Sequence, residues 1–239
     1  MQQLLTIIVY TSLAGLALPI GGALASIERL TPGWLEQEFR HGVLAFGGGV
    51  LLAAVALVLV PHGMRELNAA AATFSIIGGG LLFFAIDRAL TRAGRPASNL
   101  IAALLDFIPE AIALGALLST QASLGVLLAM FIGLQNLPEG FNAYRELVAS
   151  SQTTKKQALM LLTASALLGP LCGLLGFWVL SDAPAATAVT MLFAAGGILY
   201  LVFQDIAPQS RLERHWAPTL GAVVGFCLAW VANLLVTGH

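Results

Sequence analysis

Two long apolar stretches each hold a Pro-Glu pair near their middle: Asp106-Phe-Ile-Pro-Glu-Ala111 and Gln135-Asn-Leu-Pro-Glu-Gly140. In each, a polar side chain stands three residues before the proline and an acid one residue after it. That spacing is i, i+4, so Asp106 and Glu110 share one helix face, as do Gln135 and Glu139. An ionisable side chain at membrane depth is costly, and it faces a partner, a cavity or an ion path. Proline adds a second feature. Lacking N–H groups, Pro109 and Pro138 cannot bond the carbonyls of Leu105 and Leu134, which leaves those oxygens free or strained. Carboxylates, a carboxamide and spare carbonyls on one face make a candidate intramembrane cation site.

These side chains carry two readings. Asp106, Glu110 and Glu139 repel one another in a low-dielectric medium, so a cation or protons must neutralise them. The first reading is metal ligation by Asp106, Glu110, Gln135 and Glu139; the second is buried acids that share protons and carry no metal. Asn136 is either a further ligand or a helix-packing amide. His62, beside Arg65 and Glu66, is either a ligand on the approach to the site or an ordinary interfacial histidine. Asn142 and Glu146 follow Glu139 at helical spacing and either line an exit or cap and anchor the helix. Asp87, Asp205 and His215 read as solvated charge, and Trp34, Trp178, Trp216 and Tyr144 as interfacial anchors. Cys172 and Cys227 read as small apolar residues rather than a disulfide.

The elements that must hold these residues follow from composition. The chain is 58% hydrophobic and 10% charged, with a mean hydropathy of +0.88, whereas soluble domains run near a quarter charged. It is expected to be an all-α polytopic membrane protein with eight transmembrane helices, at about 3–26, 43–61, 72–90, 98–120, 122–146, 157–180, 184–206 and 216–237. The first is too long for a signal-peptide core and lacks a basic leader. Ten of the eleven Lys and Arg residues fall in the loops after segments 1, 3, 5 and 7 and only Arg65 elsewhere, so that side is expected to be cytoplasmic and both termini extracytoplasmic. No basic patch for nucleic acid, no zinc-finger spacing and no cofactor motif occurs, and without His-Glu-x-x-His an intramembrane metalloenzyme is disfavoured.

Segments 2 and 7 resemble each other: Phe46-Gly-Gly-Gly49 runs to Pro61, and Phe193-Ala-Ala-Gly-Gly197 runs to Pro208 with the same Phe-to-Pro spacing. Segments 1 and 6 share Pro19-Ile-Gly-Gly22 and Pro170-Leu-Cys-Gly173. Triplets five segments apart cross the membrane in opposite senses. The expected organisation is therefore a 3+2+3 inverted repeat: 1–97, a central site-bearing pair 98–146, and 157–239. The Gly-rich runs 47–49 and 78–80 read as packing faces, since no strand precedes them.

At these motifs the chain resembles the ZIP (Zrt/Irt-like protein) family of divalent-metal transporters. Gln135-Asn-Leu-Pro-Glu-Gly140 looks like the signature of the family's fifth helix. Asp106-Phe-Ile-Pro-Glu-Ala-Ile-Ala-Leu-Gly115 looks like a variant of its fourth-helix pattern, with Asp106 in place of the usual histidine. The resemblance implies alternating-access import of a divalent transition metal, Zn²⁺ first and Fe²⁺, Mn²⁺ or Cd²⁺ as further candidates, by a homodimer in the cytoplasmic membrane. It places the metal on Asp106, Glu110, Gln135 and Glu139. The second site of many members looks lost: Phe107 and Gly169 stand where oxygen ligands are expected, and a single-metal centre follows. The loop from Ala89 to Ser98 has no histidine, so metal sensing there is unsupported. A proton-coupled transporter of another solute remains the alternative.

Overall fold

A computed structural model describes residues 1–28, 33–93, 98–150, 153–212 and 216–238. Among the described residues, eight helices are long and apolar enough to cross a membrane: α1 (Gln2–Ile27), α2 (Glu36–Glu66), α3 (Ala69–Leu90), α4 (Asn99–Thr120), α5 (Ala122–Ala149), α6 (Lys155–Leu180), α7 (Pro184–Gln209) and α8 (Ala217–Thr237). Helices dominate because lipid offers backbone groups no hydrogen bonds, so each segment must satisfy its own. The chain is a multi-pass membrane protein.

Three prolines shape the helices locally. Pro61 and Pro208 cannot donate to the carbonyls four residues back, and the ladder answers with one turn of wider pitch. Val55–Leu59 and Val202–Ile206 are π-helical. They close with Val60 N–H on Val55 O and Ala207 N–H on Val202 O, one residue ahead of each proline. In α6 a turn at Leu167 divides Lys155–Ala166 from Leu168–Leu180, three residues ahead of Pro170. A capping box starts α6: Thr154 Oγ1 accepts from Gln157 N–H, and Gln157 Oε1 accepts from Thr154 N–H.

The second helix differs from its expected extent. Helical backbone starts at Gly33, just ahead of the α2 span and well before residue 43, because its polar first turns are held by ion pairs rather than by apolar length. Arg40 pairs with Glu36 one turn back and with Glu28 after α1, and Arg145 of α5 reaches both acids.

Packing places the motif-bearing pair at the centre. The most apolar stretches of α4 and α5 are 61% and 67% buried, against 17% for α3 and α8. Helix α1 packs on α5, α4 on α6, α2 on α8 and α3 on α7, with α4 against α5 in the middle. Exchanging α1 with α6, α2 with α7, α3 with α8 and α4 with α5 interconverts the first four pairings in twos and returns α4–α5 to itself. Small residues permit the approaches. A Cβ on Gly140 would meet the Leu18 carbonyl, and one on Gly79 would meet that of Phe193. The glycine runs 47–49 and 78–80 are indeed packing faces, except that Gly78 has nothing within 4 Å.

Trp178 and Trp216 are 69% and 84% exposed, as surface anchors require. Tyr144 is not an anchor: it is 3% exposed and packs with Phe141 and Leu162, because it faces α1 and α6 rather than lipid. Cys172 is half-buried, whereas Cys227 lies exposed on α8. His215 and the side chain of Trp34 lie outside the described residues.

Candidate cation site

Helix α4 presents Asp106 and Glu110 one turn apart, 2% and 0% exposed, towards α5. Helix α5 presents Gln135, fully buried, and Glu139 one turn later, half-buried at a cavity wall. The four meet as two pairs across the helix interface. Gln135 Nε2 donates to Glu110 Oε2 at 2.6 Å, and the Asp106 and Glu139 carboxyls face each other within hydrogen-bond reach. Asp106 Oδ1 also accepts the Phe107 backbone N–H at 2.9 Å.

The remaining oxygens lack donors. Glu110 Oε1, Gln135 Oε1 and Glu139 Oε2 are all buried without a hydrogen-bond partner. A buried acceptor left alone costs on the order of 1–3 kcal/mol, more when charged. Three such oxygens at one helix contact form a set of hard donors that a small cation would satisfy. Among the described residues, no three His, Cys, Asp or Glu side chains already stand close enough to enclose an ion. Asp106, Glu110 and Glu139 therefore do not close around a single ion in this conformation.

Asn136 serves as a packing amide: its Nδ2 donates to the Ala14 carbonyl of α1 at 2.9 Å, which leaves Oδ1 unpartnered. Phe107 is fully buried, and its ring tip fills the space between two backbone approaches. A Cβ on either Gly15 or Gly169 would lie 3.1 Å from Phe107 Cζ.

A narrow cavity of about 40 Å³ joins Asp106 and Glu139 to Asn142, Asn99, Asp205 and Gln209, at the ends of the helices that carry the basic loops. Asn142 Nδ2 has no partner there. Glu146 does cap: its Oε2 accepts the Asn99 N–H at 2.8 Å, tying the start of α4 to the end of α5. Asp205 departs from the expected solvated charge, because the π-turn of α7 carries it to the cavity wall. Asp87 also departs, accepting a hydrogen bond from Tyr200 at 2.7 Å. Spacing from Pro208 would have flagged Asp205, since a proline-widened turn on a central helix is a place where side chains are re-aimed.

His62 is not brought to the four donors. It lines a separate cavity of about 130 Å³ with Arg65, Glu66, Gln121, Ser181 and Thr187 at the opposite helix ends. Its Nδ1 lies 3.0 Å from the Val58 carbonyl. Val58, one turn before His62, and Leu114, one turn beyond Glu110, are both fully buried.

Residues 95–233, more than half of the chain and including all four donors, match a family model described as ZIP Zinc transporter. The chain is 26% identical to zinc transporter ZupT of Corynebacterium efficiens, over 94% of this chain and 95% of that protein. It is 26% identical to zinc transporter ZIPB of Bordetella bronchiseptica, over 92% and 79%. A mouse relative, zinc transporter SLC39A7, is 33% identical over 59% of this chain and 31% of its own length.

Proposed function

Because the chain belongs to the ZIP family, we propose that it transports a divalent transition-metal ion, Zn²⁺ first, with Asp106, Glu110, Gln135 and Glu139 as the mid-membrane ligands. The observation that carries this reading is the set of unpartnered buried oxygens on Glu110, Gln135 and Glu139. Relatives along the chain's full length are named zinc transporters, and nothing supports the proton-only transporter of another solute. Those names describe transport, the class of activity proposed here.

The finer points are proposals that rest on stated features. A single ion per chain is favoured because the Phe107 ring fills the space beside Gly15 and Gly169. Import by alternating access is favoured by a cavity that reaches Asp106 and Glu139 from the basic-loop side and stays separate from the His62 cavity at the opposite helix ends. The Lys and Arg distribution assigns the basic side to the cytosol and both termini to the outside of the cytoplasmic membrane. The inverted 3+2+3 organisation is supported by the matched helix pairings and by π-turns at equal register before Pro61 and Pro208. A homodimer rests on family resemblance. Asn142 is a pathway residue; Glu146 contributes a cap, and His62 waits at the outer approach. All-oxygen ligation is harder than a histidine-bearing site and should widen tolerance towards Fe²⁺ and Mn²⁺.

The test is Zn²⁺ uptake by protein reconstituted in vesicles. Glu110→Ala or Glu139→Ala should lower uptake by about 100-fold or more at matched protein level, since even supporting residues of metal sites cost 10–100-fold. Uptake close to wild type in either variant would remove the site.

A further inference from the structure

We infer that Glu28, Arg145, Glu36 and Arg40 form a releasable latch that holds the site-bearing helices in the arrangement open to the basic-loop side. The inference rests on the alternating access proposed above. Helices α1, α4, α5 and α6 pack together and include the four donors, and α2 lies against α5 across a seam. Glu28 follows α1 and Arg145 lies near the end of α5, on one side of that seam. Glu36 and Arg40 stand at the start of α2, on the other. Their ion pairs fall into two kinds. Arg145 pairs with Glu28 and Arg40 with Glu36, each within its own side. Arg145 Nη2 also donates to Glu36 Oε1 at 3.1 Å, and Arg40 Nη2 lies 3.7 Å from Glu28 Oε2, both across the seam.

This division makes the cluster releasable. When α2 and the central group slide past each other, only the two crossing pairs break. Each side keeps one acid with one base, so neither group is left with a stranded charge. That matters most for Glu28, whose side chain is 8% exposed, because a buried acid that loses its partner is strongly destabilising. The other three side chains are 28 to 30% exposed, where ion pairs are weak. The crossing pairs therefore bias a two-state balance without locking it. A lone acid and base facing each other across the seam would both be unpaired on release.

The position fits the role. The cavity that reaches Asp106 and Glu139 lies towards the same helix ends, between Asn99 of α4, Asn142 of α5 and Gln209 of α7. The crossing pairs are thus made in the arrangement whose site is reached from the basic side.

The test exchanges the charges. Glu36→Arg with Arg40→Glu keeps the pair within α2 but sets like charges across the seam. Glu28→Arg with Arg145→Glu does the same from the other side, and all four changes together restore every attraction. Ala102→Cys, on α4 in the cavity wall, reports the opening in the full chain purified in detergent, with Cys172→Ala and Cys227→Ala. Each pair exchange should slow modification of that thiol by a membrane-impermeant reagent about fivefold at low salt, the size expected of two modest ion pairs. The fourfold exchange should bring the rate back to within about twofold. Salt supplies a second reading that needs no rescue. At about 1 M, where screening shortens to about 3 Å, labelling should slow with the native charges and quicken in either pair exchange. Unchanged or faster labelling in the pair exchanges, no recovery in a folded fourfold variant, or one sign of salt effect throughout would overturn the latch. Wild-type Zn²⁺ uptake tests the transport reading separately. Without uptake that reading fails, whereas ordinary uptake with unchanged labelling removes only the latch.

Discussion

At the scale of residues, the cation site is a problem of unmatched oxygens. Gln135 is the group that reconciles them: its amide N–H₂ donates to Glu110 at 2.6 Å while its own oxygen stays available. A fourth carboxylate could not do both. Gln135→Leu should therefore weaken metal binding more than removal of one neutral ligand suggests, because it also leaves Glu110 Oε2 without its donor. Isothermal titration would show a loss of about tenfold or more, and unchanged affinity would place the ion elsewhere. Protons enter the same balance. As the proposed ligands, Asp106, Glu110 and Glu139 would coordinate only as carboxylates, so metal binding should compete with protonation and weaken as pH falls. Asp106→Asn removes one of these acceptors and should lower the proton count released per metal by about one. Titration in buffers of different ionisation enthalpy reads that count directly; an unchanged count would remove Asp106 from the ligand set. On the proposed single-metal centre, the ring of Phe107 takes the place of a second ion. Elemental analysis of purified protein should find one tightly held ion per chain, and two would show that the Phe107 ring leaves room for a neighbour.

At the scale of elements, the glycines of α3 offer a sharper comparison because two neighbours differ in what they face. A Cβ on Gly79 would meet the Phe193 carbonyl of α7, whereas Gly78 has nothing within 4 Å. Gly79→Ala should destabilise by about 1–3 kcal/mol through forced separation of the helices. Gly78→Ala should be neutral or gain up to about 1 kcal/mol from helix propensity. Thermal unfolding in detergent separates the two, and equal effects would show that α3 and α7 do not pack as described. Such detail also marks what was legible beforehand. Eight spans and two Pro-Glu motifs are visible in sequence because lipid imposes apolar length and makes buried charge rare. The start of α2 was not, since Glu28, Glu36, Arg40 and Arg145 extend it through pairings between separate helices. Nor were the burial of Tyr144, the aim of Asp205 or the Asn99 cap made by Glu146. Each depends on which neighbour a helix face meets, and a single sequence carries periodicity without partners.

At the scale of the whole molecule, helices α1, α4, α5 and α6 pack as one group that carries all four donors, with α2, α3, α7 and α8 around it. On the proposed alternating access, the site exchanges one side for the other and the two groups move relative to each other. The seam between α2 and the central group is closed on the basic side by more than the ion pairs. Phe39 of α2 meets Phe141 of α5 edge to face with centroids 6.1 Å apart, and the Arg145 guanidinium lies 5.8 Å from the Phe141 ring centroid. Fixing that seam should hold the ion path in the state seen here. Phe39→Cys with Phe141→Cys, in a background of Cys172→Ala and Cys227→Ala, places thiols on either side of it. A short reducible cross-linker should bring Zn²⁺ uptake near to background while metal binding in detergent persists, and a reductant should restore uptake. The binding arm separates a blocked movement from a damaged site, because a tether that displaced Glu139, two residues from Phe141, would lower metal binding as well as uptake. Full cross-linking with unchanged uptake would mean that α2 and α5 do not separate during transport, and the moving boundary would then have to lie along α4 and α7.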